Sequence, residues 1–436
     1  MNLRLSSLVE RIRSSLFFVP MLAVIAAAAL GVAVLAIDRH VDTTLAELPP
    51  GFTSTVESAR TLLGVIAGAT ISFAGIAFSV SLLVIQLASS QYTPRVVHTL
   101  FRDPFNKRVM ALVVGTFTYC IVVLRSVRSA LDSGGAPVIP NISVAVAVVL
   151  GISTILAIVA FINHSAHTMD VSEILDRIRR ETIDQIGAEW KSSELDGVTD
   201  EIPPPSPEPT TVVRADRSGW IQQIDTAALI ECLPDRTTAR VETYAGRYAL
   251  EHSRLIAISP AIDVAHLEPV MRAAFVIGET RTMQQDVTYG LRQIVDVAVK
   301  ALSPGINDPT TAQDAIHHTA AVLSELLRHD PPPAVIIDGD RHVVMAQQPS
   351  HTQLIRIAFD ETRRAAATHP TVCLYLLDTL ESLIESLDAG RFAPRTTELH
   401  RQARLVAEGC GRGTPLEEDI KSVNDAYTDK FNRRSL

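Results

Sequence analysis

The sequence predicts an α-helical integral membrane protein with four transmembrane helices, joined to a mixed α+β cytosolic region made of a small β-rich module and a helical bundle. Hydrophobic residues occupy 47% of the 436 positions, and they are concentrated before residue 165. The rest of the chain has the charge density of an ordinary soluble domain. Crossing a bilayer core takes about 20 helical residues. Four uncharged apolar runs approach or exceed that length: Phe17 to Ile37, Thr61 to Leu87, Val109 to Leu124 and Val138 to Ile162.

The first and third runs need separate justification as transmembrane helices. The first is longer than the apolar part of a signal peptide and lacks a convincing cleavage site, so we expect a retained anchor. The third is short, but basic residues with long side chains flank it and can reach the membrane interfaces. Those residues are Lys107, Arg108, Arg125 and Arg128.

Basic residues between the runs predict the orientation, because cytoplasmic loops carry an excess of Lys and Arg. Before the first run the chain carries Arg4, Arg11 and Arg13. Between the second and third runs it carries Arg95, Arg102, Lys107 and Arg108. The other two loops hold only Arg39, Arg60, Arg125 and Arg128. Abundant alanine and an excess of arginine over lysine are typical of a high-GC bacterial gene. We therefore expect a multi-pass protein of the bacterial inner (plasma) membrane with both termini in the cytoplasm.

Composition and spacing disfavour several function classes. A net charge of -9 argues against nucleic acid as a partner. The four cysteines are far apart, which predicts reduced, buried thiols rather than disulfides or a zinc site. His164 and His167 lie three residues apart near Asp170, but a histidine pair without a third ligand is a weak metal motif. The sequence therefore predicts no metal and no cofactor.

The second apolar run carries a stripe of small and polar residues at intervals of three, four or seven, which places them on one helical face. The stripe consists of Thr61, Gly64, Gly68, Ser72, Gly75, Ser79 and Gln86. Small residues let membrane helices approach closely, so close packing is one interpretation and the favoured one. The other is a pore lining, which needs several copies around an axis. The two interpretations differ in whether water reaches Ser72 and Ser79.

A short amphipathic helix is expected between the second and third runs, with Thr93 as its cap and Pro94 at its first position. Its basic surroundings predict contact with lipid headgroups in the cytoplasmic leaflet. The residues expected to make that contact are Arg95, Arg102, Lys107 and Arg108.

Changes in composition divide the chain into five segments. A segment rich in proline and acidic residues cannot form a core and predicts a flexible linker. Short β-like pieces follow it, and then helical periodicity returns, with Val287, Leu291, Ile294, Ala298 and Leu302 on one face. The expected divisions are a four-helix transmembrane domain (1–165), a membrane-proximal amphipathic helix (166–192), the linker (193–210), a β-rich module (211–262), and a mainly helical domain (263–436) with a β-hairpin near 333–346.

The stretch ALSPGINDPTTAQDA interrupts that helical periodicity at residues 301–315. Ser303, Pro304 and Gly305 are expected to end one helix, because proline disfavours helix in the residue before it and glycine adopts left-handed turns. Asp308 is placed to cap the next helix, with Pro309 at its first position. Asn307 has no required role in such a turn, which makes it the residue of this loop most open to a ligand role.

Three stretches resemble a bacterial family of predicted membrane proteins, the domain of unknown function 2254. They are FSVSLLVIQLASSQYTPRVVHTLFRD from Phe78, SGWIQQIDTAALI from Ser218 and RTMQQDVTYGLRQIVDVAVKALSPGINDPTTAQDAI from Arg281. The resemblance implies four spans followed by a large cytosolic region, with the SPGINDP loop as the most distinctive signature. It implies no catalytic residues.

The leading functional hypothesis is a homo-oligomer of channel or transport type, with the second span at the symmetry axis and the cytosolic region regulating or assembling it. Its expected partners are membrane lipids and further copies of the chain. A proton-driven carrier is disfavoured, since the four apolar runs contain no ionisable residue. The alternative is a non-transporting scaffold or sensor whose cytosolic region binds a partner or small ligand.

An enzyme is the third hypothesis, and it depends on one set of polar residues. That set is Arg281, Asp286, Arg292, Asn307 and Asp308. It offers no evident pair of nucleophile and base, so we predict no catalytic residue.

Overall fold

A computed structural model describes residues 18–41, 55–91, 104–127, 140–167, 170–190, 198–199, 210–263, 266–387 and 392–432. The chain divides into two compact units, Met1–Asp170 and Val171–Leu436.

The first unit contains four long apolar helices among its described residues: α1 (Phe18–Val41), α2 (Val56–Gln91), α3 (Pro104–Leu124) and α4 (Asn141–His167). Each is long and apolar enough to cross a bilayer, which confirms the four predicted spans. The third reaches that length because its helix begins at Pro104, before the apolar run. Proline is well suited to a first helical position, since its fixed φ fits the helix and its missing N–H costs no hydrogen bond there.

Helix α3 is the centre of this unit, and α1, α2 and α4 all pack against it. Tyr119 and Cys120 of α3 are fully buried among small residues of its neighbours, such as Ala59 and Ala147. Gly31 of α1 allows the closest approach, since an added Cβ there would lie 2.9 Å from Val122 Cγ1. Small residues at such contacts are typical of membrane helices, which lack a hydrophobic drive to associate.

A buried acid lies at the end of the first span. Helix α1 continues past its apolar run, so Asp38 becomes part of it and is only 4% exposed. Its carboxylate accepts hydrogen bonds from the backbone N–H groups of Ile142 and Ser143, both at 2.9 Å, and from the Ser143 hydroxyl. Those N–H groups are among the first of α4 and have no partner within the helix. Asp38 therefore caps α4.

The second unit combines two sheets with helices. Its described strands are β1 (Val198–Thr199), β2 (Thr211–Arg214), β3 (Gly219–Ile224), β4 (Thr238–Val241), β5 (Tyr248–Ala249), β6 (Arg254–Ser259), β7 (Phe275–Gly278), β8 (Val335–Asp338) and β9 (Arg341–Val344). One sheet has the order β1-β8-β9-β4-β6-β2 and the other β5-β3-β7. The described pairings are antiparallel apart from that of β4 with β9.

The described helices of this unit are α5 (Val171–Glu189), α6 (Thr226–Cys232), α7 (Glu268–Ala273), α8 (Val287–Ala301), α9 (Pro309–Leu326), α10 (His351–Ala366), α11 (Pro370–Ser386), α12 (Ala393–Gly413) and α13 (Glu417–Tyr427), followed by a π-helical turn at Thr428–Asn432. The predicted buried face of α8 is confirmed. Its five residues, Val287, Leu291, Ile294, Ala298 and Leu302, are at most 4% exposed.

The β-rich module extends beyond the predicted range of 211–262. The hairpin of β8 and β9 joins its larger sheet through parallel pairing of β9 with β4, and Val343 enters the same apolar core as Val213 and Ile256. Strand β7 pairs with β3. The hairpin is therefore a part of the β module, because its backbone groups and its apolar side chains find their partners there.

The segment predicted as a flexible linker also contributes to this sheet. Val198 and Thr199 pair with Ile336 and Val335, so β1 forms one edge. Residues 193–197 and 200–209 of that segment lie outside the described residues.

The apolar face of the membrane-proximal helix α5 packs within its own unit, against α8 and α9. Ile174, Leu175, Ile178, Thr182 and Ile186 are buried there. Thr182 is the polar residue of this face, and its hydroxyl donates a hydrogen bond of 2.6 Å to Ile178 O, which satisfies the donor in the core. The apolar face of α5 is thus covered by helices of its own unit.

Candidate functional site

The small and polar stripe of α2 faces away from the other described helices of its unit. All seven of its residues, Thr61, Gly64, Gly68, Ser72, Gly75, Ser79 and Gln86, are exposed. The positions that pack inside the unit are different ones, such as Ala59, Leu63 and Ala67. An added Cβ at Gly64, Gly68 or Gly75 would meet nothing within 4 Å. Among the described residues of its unit, the stripe therefore takes no part in the packing of α2 against α1, α3 and α4.

The two serine hydroxyls of the stripe donate hydrogen bonds within their own helix. Ser72 Oγ donates to Gly68 O and Ser79 Oγ donates to Gly75 O, each at 2.9 Å. Serine in a membrane helix commonly bonds the carbonyl four residues earlier, which avoids the cost of an unpaired donor in lipid. The oxygen lone pairs of both hydroxyls remain available as acceptors on this face.

Of the four residues predicted to contact lipid headgroups, Arg95 and Arg102 lie outside the described residues. Lys107 and Arg108 belong to the first turns of α3, where Arg108 is exposed. Lys107 is only 5% exposed, so the prediction for this residue is corrected. The helix begins three residues before it, and that turns its side chain toward the interior of the unit.

The signature loop forms the predicted junction between two helices. Helix α8 ends at Ala301, and Ser303 Oγ donates to Lys300 O at 2.6 Å. Asp308 is the N-cap of α9, with Pro309 at the first helical position, as predicted. The Asp308 carboxylate accepts from Thr311 N at 3.1 Å and from the Thr311 hydroxyl at 2.6 Å. Pro304 and Gly305 lie in the turn between them.

Asn307 has two structural roles that the sequence did not indicate. Its backbone is in the left-handed region at φ 52°, a conformation that asparagine tolerates better than most residues. Its Oδ1 lies 3.0 Å from Nε2 of His369, the N-cap residue of α11, and accepts a hydrogen bond from the ring. The interpretation of Asn307 as a residue without a role in the turn is therefore wrong. It connects the loop to a helix more than sixty residues later.

A second polar cluster joins the β module to the start of α8. Arg281 donates to the Asp286 carboxylate through Nε at 2.6 Å and Nη2 at 3.1 Å, and Nη2 also donates to Thr288 Oγ1 at 2.6 Å. Its guanidinium carbon lies 5.7 Å from the ring centroid of Trp220 and 5.3 Å from that of Tyr289. An added Cβ at Gly246, whose φ is 92°, would overlap the Asp286 carboxylate. This position therefore requires glycine for two independent reasons.

The residues considered for an enzyme do not form one site. Arg281 and Asp286 are together, but Arg292 pairs with Glu361 at 2.6 Å. Asn307 and Asp308 make the loop contacts already described. Each group already has a structural partner, and no nucleophile faces a base among these five residues.

The structure assigns no metal ligand to the histidines considered for one. The ring centroid of His164 lies 4.6 Å from that of Phe105. Within the described ranges, no group of three or more His, Cys, Asp or Glu residues could hold a metal ion.

A cavity in the second unit was not predicted from the sequence. It has a volume of about 580 Å³, and Glu189 of α5, Tyr244 and His351 contribute its titratable groups. Its walls come from residues as far apart as 188 and 351, and no local pattern connects them.

Comparison with known proteins identifies the family. The family of predicted membrane proteins DUF2254 matches residues 13–382. The chain is also similar to the uncharacterized protein Rv1290c of Mycobacterium tuberculosis and the uncharacterized protein Mb1321c of Mycobacterium bovis. Each is 30% identical over 380 residues, which cover 85% of this chain and 72% of the relative. No solved structure is significantly similar to the chain. The match spans all four apolar helices and most of the second unit, and the chain therefore belongs to the DUF2254 family of predicted membrane proteins.

Proposed function

We propose that this membrane protein is a homo-oligomer of channel or transport type, in which α2 of each copy faces the symmetry axis. The observation that carries the proposal is the exposed stripe of α2. From Thr61 to Gln86 it extends about 37 Å along the helix, at about 1.5 Å per residue. That exceeds the bilayer hydrocarbon core of about 30 Å, so a line of hydroxyls, glycine backbone and amide runs from one interface to the other.

The other exposed side chains of α2 differ from those of the stripe in size and polarity. Leu62 and Phe78 lie on the two sides of the stripe and are 40% and 60% exposed, and such bulky apolar side chains suit contact with lipid tails. The seven residues of the stripe have no side chain of this kind. A helix face made of glycine would lose van der Waals contacts if it faced lipid tails. Against another copy, the same face would allow the two helices to approach closely. Around a water-filled axis, it would expose polar backbone atoms to water.

In this proposal the protein lies in the bacterial inner (plasma) membrane with both termini in the cytoplasm. The distribution of Lys and Arg between the spans supports that orientation. The second unit is then cytosolic, where it would regulate or assemble the membrane part.

Ion flux tests the proposal directly. The purified full-length chain is reconstituted in liposomes, and K⁺ and Cl⁻ flux is followed with a voltage-sensitive dye. We expect flux that falls in Ser72→Leu, which fills the proposed lining, and persists in the matched control Phe78→Leu on the lipid-facing side. Absence of flux from an intact oligomer would favour the alternative, a scaffold or sensor that does not transport.

Water accessibility distinguishes the two functions independently of the permeating ion. Single cysteines replace Ser72, Ser79 and, as a control, Phe78 in a chain whose four native cysteines are replaced. A water-soluble thiol reagent is expected to modify Ser72→Cys and Ser79→Cys but not Phe78→Cys. Equal protection at all three positions would indicate a dry, packed interface and a scaffold.

A further inference from the structure

The cavity in the second unit is built to accept a ligand of small-molecule size. Its volume of about 580 Å³ lies within the about 300 to 1,000 Å³ that is usual for such sites. Ile224, Ile336 and Met345 give it apolar walls, and Pro331, Pro332 and Pro333 form one side. The C-terminal end of α5 and the N-terminal end of α10 complete it.

Several of the hydrogen-bond donors that line this cavity are already engaged. Gln285 uses its amide on the backbone of Ile224, with Oε1 2.8 Å from Ile224 N and Nε2 3.2 Å from Ile224 O. His351 places Nε2 3.0 Å from His329 O. At the start of α10, the N–H groups of Ser350 and Gln353 are taken up by their capping box. These groups have little left to offer a bound anion.

Acceptors at the C-terminal end of α5 have fewer partners. The Glu189 carboxylate accepts one hydrogen bond of 3.3 Å, from Gln185 Nε2. In the described part of the chain no Lys, Arg or His forms an ion pair with it. Glu189 is also the last residue of α5, where the helix dipole and free carbonyl groups favour a cation. The three prolines add carbonyl acceptors to the wall without adding N–H donors.

Burial raises the pKa of Glu189, because the charged carboxylate loses water without gaining a basic partner. A positively charged group in the cavity would replace both the missing counter-ion and the missing donors.

We propose that this cavity binds a protonated primary amine with a compact apolar body, and that Glu189 is its counter-ion. The ammonium group would donate to the carboxylate and to the carbonyl groups around it, while Ile224, Tyr244 and Met345 would contact the apolar body. This site is independent of any transport through the membrane unit.

Fluorescence of Trp190 tests the proposal in the full-length, detergent-purified protein. The chain has two tryptophans, so Trp220→Phe leaves Trp190, which follows Glu189 directly, as the only reporter. The probes are benzylammonium and benzyl alcohol, which have similar shape and differ in charge. We expect a saturable change with benzylammonium and none with benzyl alcohol at the same concentration.

Two variants locate the binding site. Glu189→Gln should weaken benzylammonium binding by about tenfold or more, since it removes one partner of a partly buried charge pair. Glu181→Gln removes the same charge from an exposed position on the same helix and should bind as the parent does. The melting temperature of each variant is measured to show that it is folded. Equal binding of the alcohol, unchanged binding by Glu189→Gln, or no saturable response to benzylammonium would overturn the proposal.

Discussion

The side chain of Thr182 on α5 occupies the space that a Cβ on Gly290 of α8 would need. The two helices therefore approach each other through a glycine on one and a small, internally hydrogen-bonded residue on the other. Gly290→Ala should destabilise the second unit by about 1 to 3 kcal/mol, the usual cost of overpacking a core. The apparent melting temperature of the purified chain should fall by several degrees.

Gly187 provides the matched control for that change. It lies in the last turn of α5, and an added Cβ there would meet nothing within 4 Å. Gly187→Ala should therefore leave stability unchanged or raise it slightly, because alanine favours helix. A fall of the same size in both variants would contradict the tight contact between Thr182 and Gly290.

Asp308→Ala should cost about 0.5 to 2 kcal/mol, because the first turn of α9 loses its cap. Asp308→Asn keeps an acceptor oxygen and should retain most of the stability.

Hydrogen bonds from Thr311 lower the pKa of Asp308, so the ionised form stabilises the folded state. That contribution is fully present above the pKa that Asp308 has in the unfolded chain. It is lost as the pH falls through the pKa that Asp308 has in the folded protein. The difference in melting temperature between parent and Asp308→Ala should therefore shrink in acid, and a difference independent of pH would contradict this assignment.

Asp38→Ala should destabilise the first unit, since the N–H groups of Ile142 and Ser143 would lose a buried acceptor. Leaving buried donors unsatisfied costs about 1 to 3 kcal/mol each. Limited proteolysis of the protein in nanodiscs should show faster cleavage around α4. Arg39→Ala changes the exposed neighbour on the same helix and should behave as the parent does.

Gly68→Leu should weaken association between copies, because the bulky side chain would prevent close approach at the α2 stripe. Light scattering of the detergent-purified protein measures the mass of the assembly. Leu62→Phe enlarges an exposed side chain that lies about 120° around α2 from Gly68 and serves as the control. An unchanged mass in Gly68→Leu, or a monomeric parent, would show that the stripe is not an interface between copies.

The features predicted correctly from sequence are those that depend on neighbouring residues. The four spans follow from uninterrupted apolar runs, and the roles of Asp308 and Pro309 follow from preferences within one helical turn. Contacts between distant segments were not predictable in this way. The hydrogen bond between His369 and Asn307, the capping of α4 by Asp38 and the burial of Lys107 all depend on how helices are placed in three dimensions.

The cavity beside Glu189 could not be predicted from the sequence either, because distant segments form it. The residue stands at the end of an amphipathic helix, where an exposed glutamate is the ordinary expectation. Its burial depends on the proline segment and on the start of α10, which lie more than 140 residues later. A pattern in the sequence around position 189 could not reveal those neighbours.

The parallel pairing of β9 with β4 has a consequence for the order of synthesis. The ribosome makes β4 first, then all of α8 and α9, and only afterwards the hairpin that covers the open edge of β4. Until residue 344 has emerged, the nascent sheet presents an unpaired strand edge, a surface prone to pairing with other chains. Fragments that end before the hairpin should therefore aggregate during expression, even though they contain all of residues 211–262.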